Sequence, residues 1–441
     1  MYKLSKYNIE VGVVENQFLL FNSVTRAFAT VDPLARDIMA DLGTYSASKN
    51  PAVVERVATM KKGGFIVPES RDETGLLVLQ REAARFHSEV LTLILAPTMN
   101  CNMACPYCFE KKVSGNMSEE IMNKIISFAE DYMNENVVKE VSVTWYGGEP
   151  LLQKDTIYLL SDKLIALCAQ KNVAYNADII TNGVLLDIET AKRLVERKVF
   201  SAQITIDGTR DYHNKRRILK SKEDSFTPIV NNIQAVKDII NIRVRVNVDK
   251  DNIQDVESLI AYFTNELGWG NNPMFYLAPV RGSMEFCLYD ENICLQDDQF
   301  SGLELELTQF FLEKTPESAR HTLYPSRLAL FCQAEGRGSY VIDPDGYLYT
   351  CWQNVGAKEF AIGHLDGPAF ENETYIKWLS NPLPHACLEC SFLPCCQGGC
   401  GYERIHNDTA QCTFQTFSYI EKLKLAFIYH MNQTKATETA D

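Results

Sequence analysis

Two rhythms of apolar and polar positions alternate along the middle of the chain. Short apolar runs begin with LTLILAP at 91–97, then VSVTWY at 141–146 and NADIIT at 176–181. AQITID at 202–207, IRVRVNVD at 242–249 and MFYLAP at 274–279 complete the set. Runs of this length, rich in β-branched and aromatic residues, predict strands. Between them, apolar residues recur every three or four positions. The stretches are SEEIMNKIISFAEDYM (118–133), TIYLLSDKLIALCAQ (156–170), IETAKRLVERK (188–198), FTPIVNNIQAVKDII (226–240) and DVESLIAYFTNEL (255–267). That period predicts amphipathic helices, and Ser118 reads as the N-cap of the first. Strands alternating with helices imply parallel pairing through right-handed crossovers. The result is an α/β sheet, either doubly wound or a partial (β/α) barrel. In both, chemistry belongs at the C-terminal ends of the strands.

The pattern before residue 91 differs. FLLFNSVTRAFATVD reads as two strands around a turn at Asn22-Ser23. Asp32-Pro33 opens a helix to about Leu42, with Asp as N-cap and Pro at the first position. A second helix spans about Pro51–Lys62, Gly63-Gly64 stops it, and FIV forms a short strand. This order resembles a winged-helix module, and an extension that only packs on the rest of the chain fits equally. A helical bridge follows the alternating region, and cysteines crowd the chain from about residue 325. The expected organisation is an N-terminal module at 1–88, the alternating region at 89–290, the bridge at 291–325 and a cysteine-rich domain at 326–441.

Composition narrows the function class. The 441 residues are 46% hydrophobic and 23% charged, which is ordinary for a chain with ample core. A net charge of −14 argues against general nucleic-acid binding. No run is apolar enough to serve as a signal peptide or to span a bilayer, so the expectation is a cytoplasmic protein with no membrane partner. There, fourteen cysteines are unsuited to a disulfide framework. Clustered as they are, they read first as metal or iron–sulfur ligands.

CNMACPYCFE, residues 101–110, places Cys101, Cys105 and Cys108 at C-x3-C-x2-C spacing directly after the first strand. A closed zinc site wants four ligands, and this loop offers three thiols and no histidine. An iron–sulfur cube on three thiolates leaves one iron open for chemistry. Glycine-containing turns follow the next strands: Gly147-Gly148-Glu149-Pro150, then Thr181-Asn182-Gly183, then Asp207-Gly208. Glycines allow close backbone approach, and Glu149 offers an acceptor for an ammonium group.

These motifs resemble the radical S-adenosylmethionine (radical SAM) enzymes, and so does the alternating region, which the resemblance makes a partial (β/α)6 TIM-like barrel. The resemblance implies that Cys101, Cys105 and Cys108 hold a 4Fe–4S cluster whose open iron binds S-adenosylmethionine. It makes Tyr107, Gly147, Gly148, Glu149, Pro150, Asn182 and Asp207 contacts of that cofactor. DGTRDYHNKRR (207–217) resembles a family segment in which Arg217 pairs with the methionine carboxylate, with Arg216 as fallback and His213 as a motif member. Reduction then yields a 5′-deoxyadenosyl radical that takes hydrogen from carbon.

The second cysteine set runs Cys332, Cys351, Cys387, Cys390, Cys396, Cys400 and Cys412. On spacing alone a structural zinc ribbon competes. Behind such a barrel the set resembles the SPASM extension, its last gap shorter than usual. That implies two auxiliary 4Fe–4S clusters, three in all. Cys387, Cys390, Cys396 and Cys412 would hold one, and Cys332, Cys351 and Cys400 the other. The second is one ligand short, to be completed by substrate, Cys287 or Cys294. Cys395 is the spare and Cys168 a buried helix residue.

Members of the family with a SPASM extension mostly modify peptides or proteins, and the 1–88 module resembles the leader-recognition domain of peptide maturases. The expected activity is therefore maturation of a ribosomally made precursor peptide, whose leader the 1–88 module binds as an added strand. The product is an intramolecular cross-link, thioether first and carbon–carbon next. A flavodoxin or ferredoxin would supply electrons. Two alternatives stand beside it. One is a sulfatase-maturase-like enzyme, although that group carries an Asp base where Trp352 stands here. The other is a non-catalytic iron–sulfur protein.

Overall fold

The computed structural model describes residues 1–111, 113–270, 272–282, 289–314, 323–367, 372–407 and 412–438. They form two compact units. One consists of Met1–Phe86, Asp297–Cys332 and Asn381–Asp441, the other of His87–Gln296 and Gln333–Ser380. Among the described residues, no helix is long and apolar enough to cross a membrane.

In the first unit the chain opens with β1 (Tyr2–Leu4), β2 (Asn8–Val14), β3 (Gln17–Asn22) and β4 (Phe28–Val31). Helices α1 (Pro33–Ala40), α2 (Leu42–Ser46) and α3 (Pro51–Gly63) follow, then β5 (Ile66–Pro68) and α4 (Glu73–Phe86). Strands β2, β3 and β4 form an antiparallel sheet, and β1 pairs with β5. The turn at Asn22 is held by its own side chain. Its Oδ1 accepts from the N–H groups of Val24 (3.2 Å) and Thr25 (3.0 Å). Asp32 caps α1 by accepting from Ala35 N–H at 2.7 Å. Gly64 ends α3 in the left-handed region at φ 75°, where the side-chain-free residue fits. The sequence pattern anticipated β3, β4, α1, α3 and β5. Strands β1 and β2 and helices α2 and α4 are additional. Leu20, Ile38, Val57, Met60 and Ile66 form the core beneath these helices. A second core joins Ile9, Val11, Leu19 and Phe21 to Leu423 and Phe427 of the helix Phe414–Glu438. The expected bridge contains α11 (Asp297–Lys314). Lys422 of the same C-terminal helix pairs with its Glu304 at 2.6 Å.

The second unit is built on one sheet. Strands β6 (Val90–Leu95), β7 (Glu140–Trp145), β8 (Ala174–Thr181), β9 (Val199–Thr205), β10 (Asn241–Val248) and β11 (Met274–Pro279) lie side by side in chain order, all parallel. Between them run α5 (Glu119–Glu135), α6 (Lys154–Lys171), α7 (Ile188–Glu196), α8 (Arg210–Arg216), α9 (Phe226–Val236) and α10 (Val256–Ala261). This is the expected partial-barrel order. Ser118 caps α5 through Ile121 N–H at 3.2 Å, and Asp187 caps α7 through Thr190 N–H at 2.7 Å. In-register alternation puts Leu91, Leu93 and Leu95 opposite Val141, Val143 and Trp145, all fully buried. Each such side chain contributes about 1.5–3 kcal/mol of burial free energy. Beyond β6 the sheet continues with β12 (Ser339–Ile342), which pairs parallel to it, and antiparallel β13 (Tyr347–Tyr349) and β14 (Gly363–His364). The stretch around Cys351 thus belongs to the barrel's own sheet, whereas Cys332 and the cysteines from 387 onward belong to the first unit.

Candidate active site

The loops leaving β6 and β7 at their C-terminal ends are fastened to each other by backbone. Gly148 N–H donates to Thr98 O at 3.2 Å, and Glu149 N–H to Asn100 O at 2.9 Å. This approach is possible only without side chains. A Cβ on Gly148 would lie 2.4 Å from Asn100 O and 2.6 Å from Met99 O. Gly147, at φ 105°, would put a Cβ 2.4 Å from Thr98 O. The paired glycines are therefore the condition for docking the cysteine loop on the loop after β7.

Glu149 is fully buried and braces the next loop. Its Oε1 accepts from Thr181 Oγ1 at 2.7 Å and Leu151 N–H at 3.0 Å, and its Oε2 from Asn182 N–H at 2.7 Å. Burial raises its pKa, and the three donors oppose that rise. These donors fill three of the roughly four acceptor sites a carboxylate offers. Pro150 starts the helical turn that Glu149 caps. Asn182 closes the ring, its Nδ2 donating to Asn102 Oδ1 at 2.7 Å, between Cys101 and Met103.

A fourth segment delivers the arginines. Ala104 N–H donates to Ile218 O at 2.8 Å and Lys220 N–H to Asn102 O at 2.9 Å. The chain after α8 therefore lies along the cysteine loop. Arg217 Nη1 donates to the Tyr107 hydroxyl oxygen at 3.3 Å, and that hydroxyl donates to Asp207 Oδ2. Arg217 Nε is buried with no hydrogen-bond partner. Arg216 is committed elsewhere. Its Nη1 lies 3.0 and 2.8 Å from the two carboxylate oxygens of buried Asp249. Both arginines keep buried donors without a hydrogen-bond partner, Nε and Nη2 of Arg216 and Nε of Arg217, but Arg216 is ion-paired to buried Asp249 whereas Arg217 bonds Tyr107 of the cysteine loop.

Asp207 Oδ1 accepts from Asn247 N–H at 3.0 Å, so its carboxylate positions Tyr107. His213 is fully buried. Its Nδ1 accepts from Asp207 N–H at 3.3 Å, and burial first, then Arg217, lower its pKa to about 3, so the ring is neutral. The spacing did not signal Asn102, Asp249, Asn252 or Asp255. Asn252 Nδ2 donates to the carbonyls of Asp207 (2.6 Å) and Asn247 (2.8 Å), and Asp255 Oδ1 accepts from Thr209 Oγ1 at 2.9 Å. The available signal was the polar run DKDNIQD immediately after β10.

Cys101, Cys105 and Cys108 are all partly exposed on the clamped loop. Burial, opposed by a 3.4 Å hydrogen bond from Met103 N–H, pushes the Cys101 thiol up to about 11. Among the described residues, no three Cys, His, Asp or Glu side chains converge as a preformed metal site. The fit to a cluster rests on other features: three thiols without a fourth, the glycine cradle beside them and the orphaned Arg217 Nε. Those features suit a three-thiolate cluster and an anionic ligand next to it.

Of the second cysteine set, Cys387, Cys396 and Cys412 in the first unit have thiols whose pKa is raised, by burial first and then by neighbouring thiols of the set. Cys395 is buried with its thiol 3.9 Å from Ser23 O. Cys332 is exposed, Cys400 half-buried and Cys351 buried. Cys168 is buried on α6, as expected. Cys294 is buried and lies in the second unit, while Cys287 lies outside the described residues.

Residues 95–263 match the Radical SAM superfamily. The chain is 24% identical, over 77% of its length and 97% of the relative's, to a cysteine-type anaerobic sulfatase-maturating enzyme of Clostridium novyi. It is 22% identical to the radical SAM cyclopropyl synthase TigE of Paramaledivibacter caminithermalis, covering 90% of this chain and 89% of that one. In fold it is similar to Streptococcus suis SuiB, solved bound to precursor peptide SuiA. There the TM-score is 0.52 at 14% identity, over 91% of this chain and 95% of that one.

Proposed function

From the premise that this chain is a radical SAM enzyme, with its domain at residues 95–263, we propose that it matures a ribosomally made precursor peptide by forming an intramolecular cross-link. When bound, a 4Fe–4S cluster with S-adenosylmethionine supplies a radical that removes hydrogen from unactivated carbon. Cys101, Cys105 and Cys108 would hold that cluster. The observation that carries the reading is the clamp, in which two backbone hydrogen bonds and the buried Glu149 fix the cysteine loop against its neighbours. Arg217, steadied by Tyr107 and Asp207, would hold the methionine carboxylate through paired N–H donors. The buried neighbours Met99 and Tyr146 limit water there.

Two auxiliary clusters belong to the same proposal, one on Cys387, Cys390, Cys396 and Cys412, the other on Cys332, Cys351 and Cys400. A set one ligand short leaves room for a substrate thiolate, which favours thioether formation. Carbon–carbon bonding is the second reading, favoured by similarity to a cyclopropyl synthase across nine-tenths of the chain. The leader would bind residues 1–88, and a flavodoxin or ferredoxin would deliver electrons. Similarity to a sulfatase-maturating enzyme supports protein modification as the alternative. Trp352 weighs against it, because an indole has no basic atom to accept a substrate proton.

The test is anaerobic reconstitution and reduction, followed by assay of 5′-deoxyadenosine and by mass spectrometry of peptides coexpressed from short reading frames beside the gene. A peptide lighter by two hydrogens per cross-link is expected. Zinc alone in oxygen-free protein, or 5′-deoxyadenosine formed after all three loop thiols are changed to alanine, would sink the enzyme assignment. An unmodified peptide mass would sink the cross-linking.

A further inference from the structure

Trp352, next to Cys351, stacks on Tyr146 with ring centroids 5.7 Å apart and planes 25° apart. Tyr146 is buried and immediately precedes Gly147, so it is tied by sequence to the middle loop of the clamp. Its hydroxyl pairs with Glu110, two residues beyond Cys108. The aromatic pair therefore runs from the clamp to the segment of Cys351. The chain has four tryptophans. Trp145, Trp269 and Trp378 are 0–3% exposed, whereas Trp352 is 39% exposed. An indole left this open beside a reaction site is a surface on which something flat and apolar can rest.

The stretch 350–354 around Trp352 carries a second, independent feature. Thr350 Oγ1, Gln353 Oε1 and Asn354 Oδ1 are buried acceptors with no hydrogen-bond partner. Each such atom costs about 1–3 kcal/mol when left unmet. Gln353 is half-buried, so a turn of its side chain brings the oxygen to an incoming donor. A peptide backbone carries N–H donors next to its side chains, and so meets both features at once.

We infer that Trp352 and Gln353 form a seat for the precursor peptide: the indole receives a flat apolar side chain, and Gln353 Oε1 accepts a peptide N–H. Trp352 is then a specificity-determining residue for the reaction. This rests on the peptide-maturase reading. It implies that substrates carry an aromatic residue near the modified carbon.

The test uses reconstituted holoenzyme and the full-length peptide found modified in the coexpression experiment, with Trp352→Ala and Trp352→Phe compared with the unchanged chain. Peptide-free formation of 5′-deoxyadenosine and iron content stay at the unchanged level in both. In Trp352→Ala the KM for peptide rises about tenfold, the share of 5′-deoxyadenosine coupled to product falls, and Trp352→Phe stays within about threefold. Peptide shields the acrylamide-quenchable tryptophan emission of the unchanged chain, and that shielded component is missing from Trp352→Phe. Unchanged KM and coupling in Trp352→Ala overturn the inference. So does loss of iron in both variants, which marks Trp352 as packing for Tyr146. If no coexpressed peptide is modified while 5′-deoxyadenosine still forms, the peptide reading itself fails and the seat falls with it.

Discussion

Replacing Gly148 with alanine isolates the clamp from the ligands it positions. The added methyl would lie 2.4 Å from Asn100 O, 2.6 Å from Met99 O and 2.7 Å from Asn100 C. All three atoms are backbone of the cysteine loop, so no flexible side chain can yield. Ordinary contact begins at 3.4 Å. The loop must retreat by about 1 Å, which removes the 2.9 Å bond from Glu149 N–H to Asn100 O. Misplacement on that scale costs roughly 100-fold in rate, and overpacking costs about 1–3 kcal/mol of stability. The assay is the initial rate of 5′-deoxyadenosine formation by reconstituted, reduced protein, alongside iron content and the melting midpoint. Gly302→Ala is the control. That glycine lies inside α11 with nothing within 4 Å of the new carbon, so the change is neutral or mildly stabilising. A Gly148→Ala protein that forms 5′-deoxyadenosine within about threefold of the unchanged rate would refute the claim that this approach sets the site.

The two neighbouring arginines separate by readout. Arg216→Ala strands buried Asp249 and lowers stability by about 3–5 kcal/mol in denaturant titration. Arg217→Ala instead raises the KM for S-adenosylmethionine roughly tenfold or more and moves stability less. A reversed order would count against the assignment of Arg217. His213 gives a pH signature. Its neutral native ring resists protonation down to about pH 3, whereas the unfolded chain takes up the proton near 6.5. Its contribution is therefore fully present above pH 6.5 and lost as pH falls, with a slope of about 1.4 kcal/mol per unit. His213→Asn keeps an acceptor for Asp207 N–H, and its denaturation profile should lack that slope. Cys395→Ser should keep the full iron content, because Cys395 is buried against Ser23 O, while Cys396→Ser should lose one cluster's iron. Equal losses would bring Cys395 into the ligand set.

What the sequence determined by itself is local or periodic. The six parallel strands and their helices follow from apolar spacing, because burying one face of each element is a property of a dozen neighbouring residues. Caps such as Asp32 and Ser118 follow from single side chains reaching three residues ahead. The thiol loop and the glycine pair were legible because unusual residue types at tight spacing have few other uses. Only the tertiary structure decided which of those residues serve each other. It paired Arg216 with Asp249 and Arg217 with Tyr107, although the two are adjacent in the chain. It turned Asp207 and His213 into supports for Tyr107 and for a turn. It extended the sheet beyond β6 through β12, a short strand whose partner lies almost 250 residues earlier. It also set Trp352 against Tyr146. Such pairings depend on which atoms meet across long loops, and closing those loops is governed by the packing of the whole unit, not by the preference of any one segment.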